Sequence, residues 1–181
     1  LHGSIRRQRQ MCIRDSVLLA TRDGKAIRFA VDAVRVFRGR ASTGVRGVRL
    51  LGQDSVVSMS IITGDATEFV LSVTENGYGK RTPVSDYRRT GRGGQGVANI
   101  ETSDRNGRVM ASFTVVEEDQ LMLVTNYGQV IRIRVHGGEG DSIRIASRKT
   151  QGVRLFDVSG GEDERVVSAG LILSLIHIRR C

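Results

Sequence analysis

Apolar residues along this chain come in short bursts broken by glycine, with no run of helical period. Residues 17–20 are an apolar run. Arg22-Asp23-Gly24-Lys25 follows as a tight turn, because Asp-Gly readily supplies the positive φ of a hairpin. Beyond it Ile27, Phe29 and Val31 alternate with Arg28 and Ala30. A period of two predicts a strand with one buried and one exposed face, which puts Arg28 on the solvent side. A polar connection at 38–43 leads into Gly44-Val-Arg-Gly-Val-Arg-Leu50, an acidic turn at 52–54 and a further strand at 56–62.

The same order returns twice. Thr21, Thr74 and Thr125 stand 53 and 51 residues apart, and so do Gly24, Gly77 and Gly128, and Arg28, Arg81 and Arg132. A second frame runs through Gly44-Val45, Gly96-Val97 and Gly152-Val153, spaced by 52 and 56, the extra residues fitting a longer loop around 136–141. A period near fifty marks an array of repeats. Each unit reads as strand, glycine hairpin, strand, basic loop, Gly-Val strand, acidic turn, strand. Four strands per unit is the blade of a propeller-like fold. The predicted architecture is all-β, with three four-stranded blades at about 17–66, 67–117 and 118–172.

Composition supports this. The chain has 181 residues with 22 Gly, one Pro, no Trp and 39% hydrophobic residues, which suits many short strands joined by glycine turns. No apolar run approaches a membrane span. The two ends, 1–16 and 173–181, do not continue the repeat, and their strings Met11-Cys-Ile-Arg-Asp-Ser16 and Leu173-Ser-Leu-Ile-His-Ile178 resemble translated sequencing adapter. They are set aside from the fold as non-native segments. They carry +3 and +2 of the formal +9, leaving a body of +4, mildly basic. Both cysteines, Cys12 and Cys181, lie there too, so the body offers neither disulfides nor thiolate metal sites.

Candidate chemistry narrows quickly. Gly91-Arg-Gly-Gly-Gln-Gly96 fits a dinucleotide-binding pattern, but that motif opens a helix, and 97–103 has no helical period. His136 is the only histidine of the body, so no catalytic triad is built, and the acidic clusters 117–119 and 162–164 read as solvated turns without metal. The basic loops are more telling. Arg88, Arg89 and Arg92 in one unit correspond to Arg38, Arg40 and Arg46 before it, and to Arg148, Lys149 and Arg154 after it. On a curved array such loops form a stripe suited to the phosphates of a bent duplex, with no need for base readout.

Three stretches carry a family resemblance: Thr43-Gly-Val-Arg-Gly-Val-Arg-Leu50, Glu75-Asn-Gly-Tyr-Gly-Lys-Arg-Thr82 and Lys149-Thr-Gln-Gly-Val153. The body resembles the C-terminal domain of DNA gyrase A. That resemblance implies a β-pinwheel, a six-bladed propeller variant whose neighbouring blades exchange strands and whose basic rim wraps DNA. It places this chain at the last three blades, half a ring. The partners it implies are double-stranded DNA, the remainder of gyrase A, and gyrase B, in a bacterial cytoplasm. It implies no cofactor on these blades, ATP and Mg being used on other domains, and no catalytic tyrosine, since Tyr78, Tyr87 and Tyr127 fall within blade motifs. The family's wrapping motif Gln-Arg-Arg-Gly-Gly-Lys-Gly has only a degenerate counterpart, Thr90-Gly-Arg-Gly-Gly-Gln-Gly96. With the basic loops, the resemblance nominates Arg28, Arg46, Lys80, Arg81, Arg88, Arg89, Arg92, Arg132, Arg148 and Lys149 as DNA contacts. The C-terminal domain of topoisomerase IV and a protein-docking propeller are the alternatives.

Overall fold

A computed structural model describes residues 15–36, 42–63, 67–137, 142–158 and 163–172. The strands are β1 (Ser16–Thr21), β2 (Lys25–Ala30), β3 (Val56–Ile62), β4 (Phe69–Thr74), β5 (Tyr78–Pro83), β6 (Val97–Ala98), β7 (Val109–Val115), β8 (Gln120–Thr125), β9 (Val130–Arg134), β10 (Val153–Arg154) and β11 (Val166–Ile172). The three hairpins β1–β2, β4–β5 and β8–β9 are antiparallel and close on the turns that the glycines foretold. In each turn the glycine amide donates to the threonine carbonyl three residues back, at 3.2, 3.1 and 3.0 Å. Gly24, Gly77 and Gly128 all have φ between 75° and 81°.

Sheet order shows how the units interlock. The first sheet runs β3-β1-β2-β6 and the second β10-β5-β4-β7. Thus β6, the Gly-Val strand of the second unit, completes the sheet of the first, and β10 of the third unit completes that of the second. The four-strand count per blade holds for these two sheets, but the fourth strand is borrowed from the next unit. The third sheet, β11-β8-β9, has three strands among the described residues. The first Gly-Val segment, 44–50, forms no strand.

Short 3-10 turns at Val31–Ala33 and Val84–Asp86, which the period-two reading did not anticipate, follow β2 and β5. Ser16 also differs from expectation. It pairs with Ala30 and Ile62 inside β1, so the first blade begins before residue 17; the other end residues, 1–14 and 173–181, lie outside the described set.

The core sits between blades. Leu18, Ala20, Ala26 and Ile62 of the first pack with Val70, Val84 and Tyr87 of the second. Leu71, Val73 and Val115 of the second pack with Leu121, Leu123, Val135, Ile143 and Val166 of the third. Consecutive strand residues point to opposite faces, and here each face of the middle blade meets a neighbour. That explains why β4 is buried along nearly its whole length.

Candidate nucleic-acid interface

The basic loops of successive units lie against one another. The Gly93 amide donates to the Gly47 carbonyl at 2.7 Å, and the Arg49 amide to the Gly94 carbonyl at 2.8 Å. Arg92 ties the same pair, donating from Nε to the Ala33 carbonyl at 3.0 Å and from Nη1 to the Arg46 carbonyl at 3.3 Å. Arg46, Arg88, Arg89 and Arg92 are exposed around this joint. One unit on, the arrangement repeats: the Glu101 amide donates to the Thr150 carbonyl at 3.2 Å, and Arg148 Nη1 to the Ala98 carbonyl at 3.1 Å. Arg148 is half-buried there, and Lys149 is exposed. None of Arg46, Arg88, Arg89, Arg92, Arg132, Arg148 or Lys149 has a carboxylate partner among the described residues. The ion pairs use Arg22, Arg81, Arg108 and Arg154 instead.

The repeating arginine does something other than expected. Arg28 is half-buried, and its guanidinium donates to Ser16 Oγ at 2.7 Å and, across the blade junction, to the carbonyls of Val84 and Tyr87 at 3.1 and 3.2 Å. Arg81 is buried, donates from Nε to the Ile143 carbonyl at 2.7 Å, and lies over the Phe69 ring. Ile143 stands where Tyr87 stands one unit earlier, so both arginines strap the following unit. Lys80 is fully buried, with Nζ donating to the Ser147 and Arg148 carbonyls at 2.5 and 2.8 Å and to Thr150 Oγ1 at 3.2 Å. Burial, with Arg148 nearby, lowers its pKa to about 8. The expected solvent side of Arg28 and its repeat Arg81 is therefore corrected: the next unit covers it. Arg132 alone of the three repeats is exposed, and it bonds Gln120.

Other polar residues at the joints escaped the sequence reading. Tyr87 hydroxyl donates to Asn99 Oδ1 at 2.5 Å, Ser72 reaches the same oxygen, and Asn99 Nδ2 donates to Ser112. Burial pushes the Tyr87 hydroxyl well above its ordinary pKa. Tyr78 accepts from Arg105 Nε and Arg154 Nη2, each at 3.3 Å, and these bonds hold its pKa below the usual value. Arg144, exposed, was missed as a member of the basic loop. It occupies the place of Arg88 one unit on, as the bridges Arg28 to Arg89 and Arg81 to Ile145 show. Carrying the 56-residue offset of the second frame back into the loop would have found it. Arg38 and Arg40 lie outside the described residues.

The family described as DNA gyrase C-terminal domain, beta-propeller, matches residues 15–63, 68–115 and 119–172. The chain belongs to that family. The three matches contain the three repeat units, β1–β3, β4–β7 and β8–β11. The gyrase relatives agree: DNA gyrase A of Rickettsia bellii is 36% identical over 204 residues, covering 87% of this chain and 22% of its own length. That of Salmonella typhimurium is 44% identical over 153 residues, covering 84% and 16%. The chain thus spans about a fifth of the curated relatives it matches. Among solved structures, a DNA gyrase A C-terminal domain superposes with TM-score 0.75 at 24% identity, covering 88% of this chain and 51% of that one. The C-terminal domain of a DNA topoisomerase IV does so at 0.76 and 25%, covering 87% and 46%.

Proposed function

We propose that this chain is a duplex-binding part of a bacterial type IIA topoisomerase of the gyrase kind, where it wraps DNA and supports ATP-dependent negative supercoiling together with the rest of gyrase A and with gyrase B. The contact set is Arg46, Arg88, Arg89, Arg92, Arg132, Arg148 and Lys149, with Arg144 added. Arg28, Lys80 and Arg81 hold the blades that carry it. The observation that carries the reading is the pair of equivalent loop joints, each lined by cations that no carboxylate among the described residues neutralises. A phosphate backbone meets such groups without base readout, so binding is indifferent to sequence. The gyrase family match supplies the prior for DNA over a protein partner, and the superposition on a topoisomerase IV domain keeps decatenation-type positioning as the second reading.

The test is the affinity of the 181-residue chain for duplexes of unrelated sequence at several salt concentrations. Six to eight phosphate contacts give a loss of roughly a thousandfold or more between 50 and 200 mM salt. Equal affinity at low and high salt, or preference for one sequence, overturns the reading. No shift of any duplex at low salt favours a protein-docking role.

A further inference from the structure

We propose that Lys80, buried and out of reach of any phosphate, is the positioning residue of the third unit's basic loop: its ammonium locks the turn at 147–150, and that turn's share of duplex binding, through Arg148 and Lys149, is lost with the lock. The partner rests on the duplex reading above; the lock rests on geometry alone.

The loop runs along β5 at both ends. On one side the Ala146 amide donates to the Arg81 carbonyl at 2.8 Å, and Thr82 Oγ1 to the Ala146 carbonyl at 2.9 Å. On the other, Val153 pairs with Gly79. Between them Thr150 Oγ1 donates to the Ser147 carbonyl at 2.9 Å and closes a turn. Lys80 Nζ sits on that turn, donating to the Ser147 and Arg148 carbonyls and to Thr150 Oγ1. An ammonium has three N–H groups, and all three are used. No carboxylate pairs with it among the described residues.

The joint one unit earlier lacks the lock. Ala26 pairs with Val97 there as Gly79 pairs with Val153, so Ile27 stands where Lys80 stands, and Gly94 where Thr150 stands. Ile27 is buried and donates nothing; its Cδ1 lies 3.7 Å from a would-be Cβ at Gly94. Lysine thus goes with a hydroxyl in the turn, and isoleucine with a glycine. The bond from Arg148 to the Ala98 carbonyl has its equivalent in that from Arg92 to the Arg46 carbonyl, so both joints share it and the lysine is an addition to the second.

The lock depends on a proton. A neutral amine keeps two N–H groups and turns a lone pair toward an acceptor oxygen. Burial and the facing Arg148 bring the lysine down to about 8. Ser72, its partner on β4, is uncharged. Tyr87, beneath Arg148, is held neutral by burial, and Glu101 and Lys149 are exposed. The protonated form holds the turn, so affinity for duplex falls as pH rises through about 8.

The test measures binding of the 181-residue chain to duplex at several salt concentrations. Lys80→Met removes no exposed cation, yet is expected to lower the slope of log K against log salt by nearly two. From about pH 7 to about pH 9 wild type is expected to lose affinity severalfold relative to Lys80→Met, a comparison in which groups titrating elsewhere cancel. Thr150→Val, which keeps the lysine, is expected to lower the slope by less, and with the wild-type pH profile it decides the matter if Lys80→Met does not fold. A readout without DNA is tryptic cleavage after Arg148 and Lys149 relative to cleavage after Arg88 and Arg89. That ratio is expected to rise severalfold in Lys80→Met, and in wild type as pH rises through about 8. A folded Lys80→Met chain with wild-type slope and cleavage ratio, or a Thr150→Val chain and a pH profile that show no change, overturns the lock. A wild type that binds no duplex but keeps the cleavage contrast supports the lock and overturns the duplex reading.

Discussion

Gly24 and Gly52 share a left-handed backbone, at φ 81° and 55°, but not a neighbourhood. A Cβ at Gly24 would stand 2.2 Å from the Ile100 carbonyl oxygen, whereas Gly52 faces open space. Both alanine variants are expected to lose about 1–2 kcal/mol for the backbone alone, and Gly24→Ala measurably more because the donated strand must move. Chemical denaturation of the two variants checks this; equal losses would mean the strand is not held there. Lys80 gives a second residue-scale test. Its pKa falls to about 8 in the folded chain, below its ordinary value near 10.4. Between those two pH values the unfolded chain holds a proton that the folded one has released, so the lysine's contribution to stability rises with pH, by at most about 1.4 kcal/mol per pH unit. The stability difference between wild type and Lys80→Met should follow that slope from about pH 8 to 10 and be level from about 6 to 7.5. A level difference throughout would mean the ammonium is not desolvated.

At the scale of the strand, alternation in the sequence located the hairpins but mislabelled a face. Ile27, Arg28 and Phe29 do alternate, and the reading of Arg28 as solvent-facing would be right for a lone sheet. In an array of blades the second face of a sheet is the joint to the next one, so Arg28 and Arg81 become straps and Lys80 a buried tie. The threefold glycine and threonine spacing was legible because each turn needs its own positive φ and its own i to i+3 bond, both local matters. The acceptor of each Gly-Val strand lies outside its own unit, so local pattern could not identify it; only the resemblance implied exchange. This gives a contrast between two arginines. Arg28→Ala leaves the Tyr87 carbonyl without its guanidinium donor and the Val84 carbonyl with only the Tyr87 amide, and is expected to cost about 1–3 kcal/mol, with the salt dependence of DNA binding unchanged. Arg88→Ala is exposed and should cost under about 0.5 kcal/mol, while lowering affinity for duplex. Urea melts and binding isotherms on both proteins separate the roles. An Arg28 variant of full stability would remove the strap.

For the whole molecule the net charge is a poor guide and its placement a good one. The formal +9 falls to +4 once the end segments are left out, and that is too little to distinguish a DNA binder from many soluble domains. Several acids, however, are already engaged: Glu75 on Arg22 and Asp23 beside Arg108 at the hairpin turns, and Asp157 on Arg154 just after the third unit's basic loop. The cations of the loop joints are left without carboxylates among the described residues, and Arg92 and Arg148 meet only backbone carbonyls across the joint. A duplex lying along two such joints would release counterions in proportion to the cations it meets. Arg88→Ala, Arg89→Ala and Arg92→Ala together should therefore reduce the slope of log K against log salt by about three, whatever the sequence of the duplex. The same number of changes at Arg22, Arg108 and Arg154, already matched by acids, should leave the slope near its starting value. If both triple variants lowered the slope alike, binding would follow net charge and not the joints.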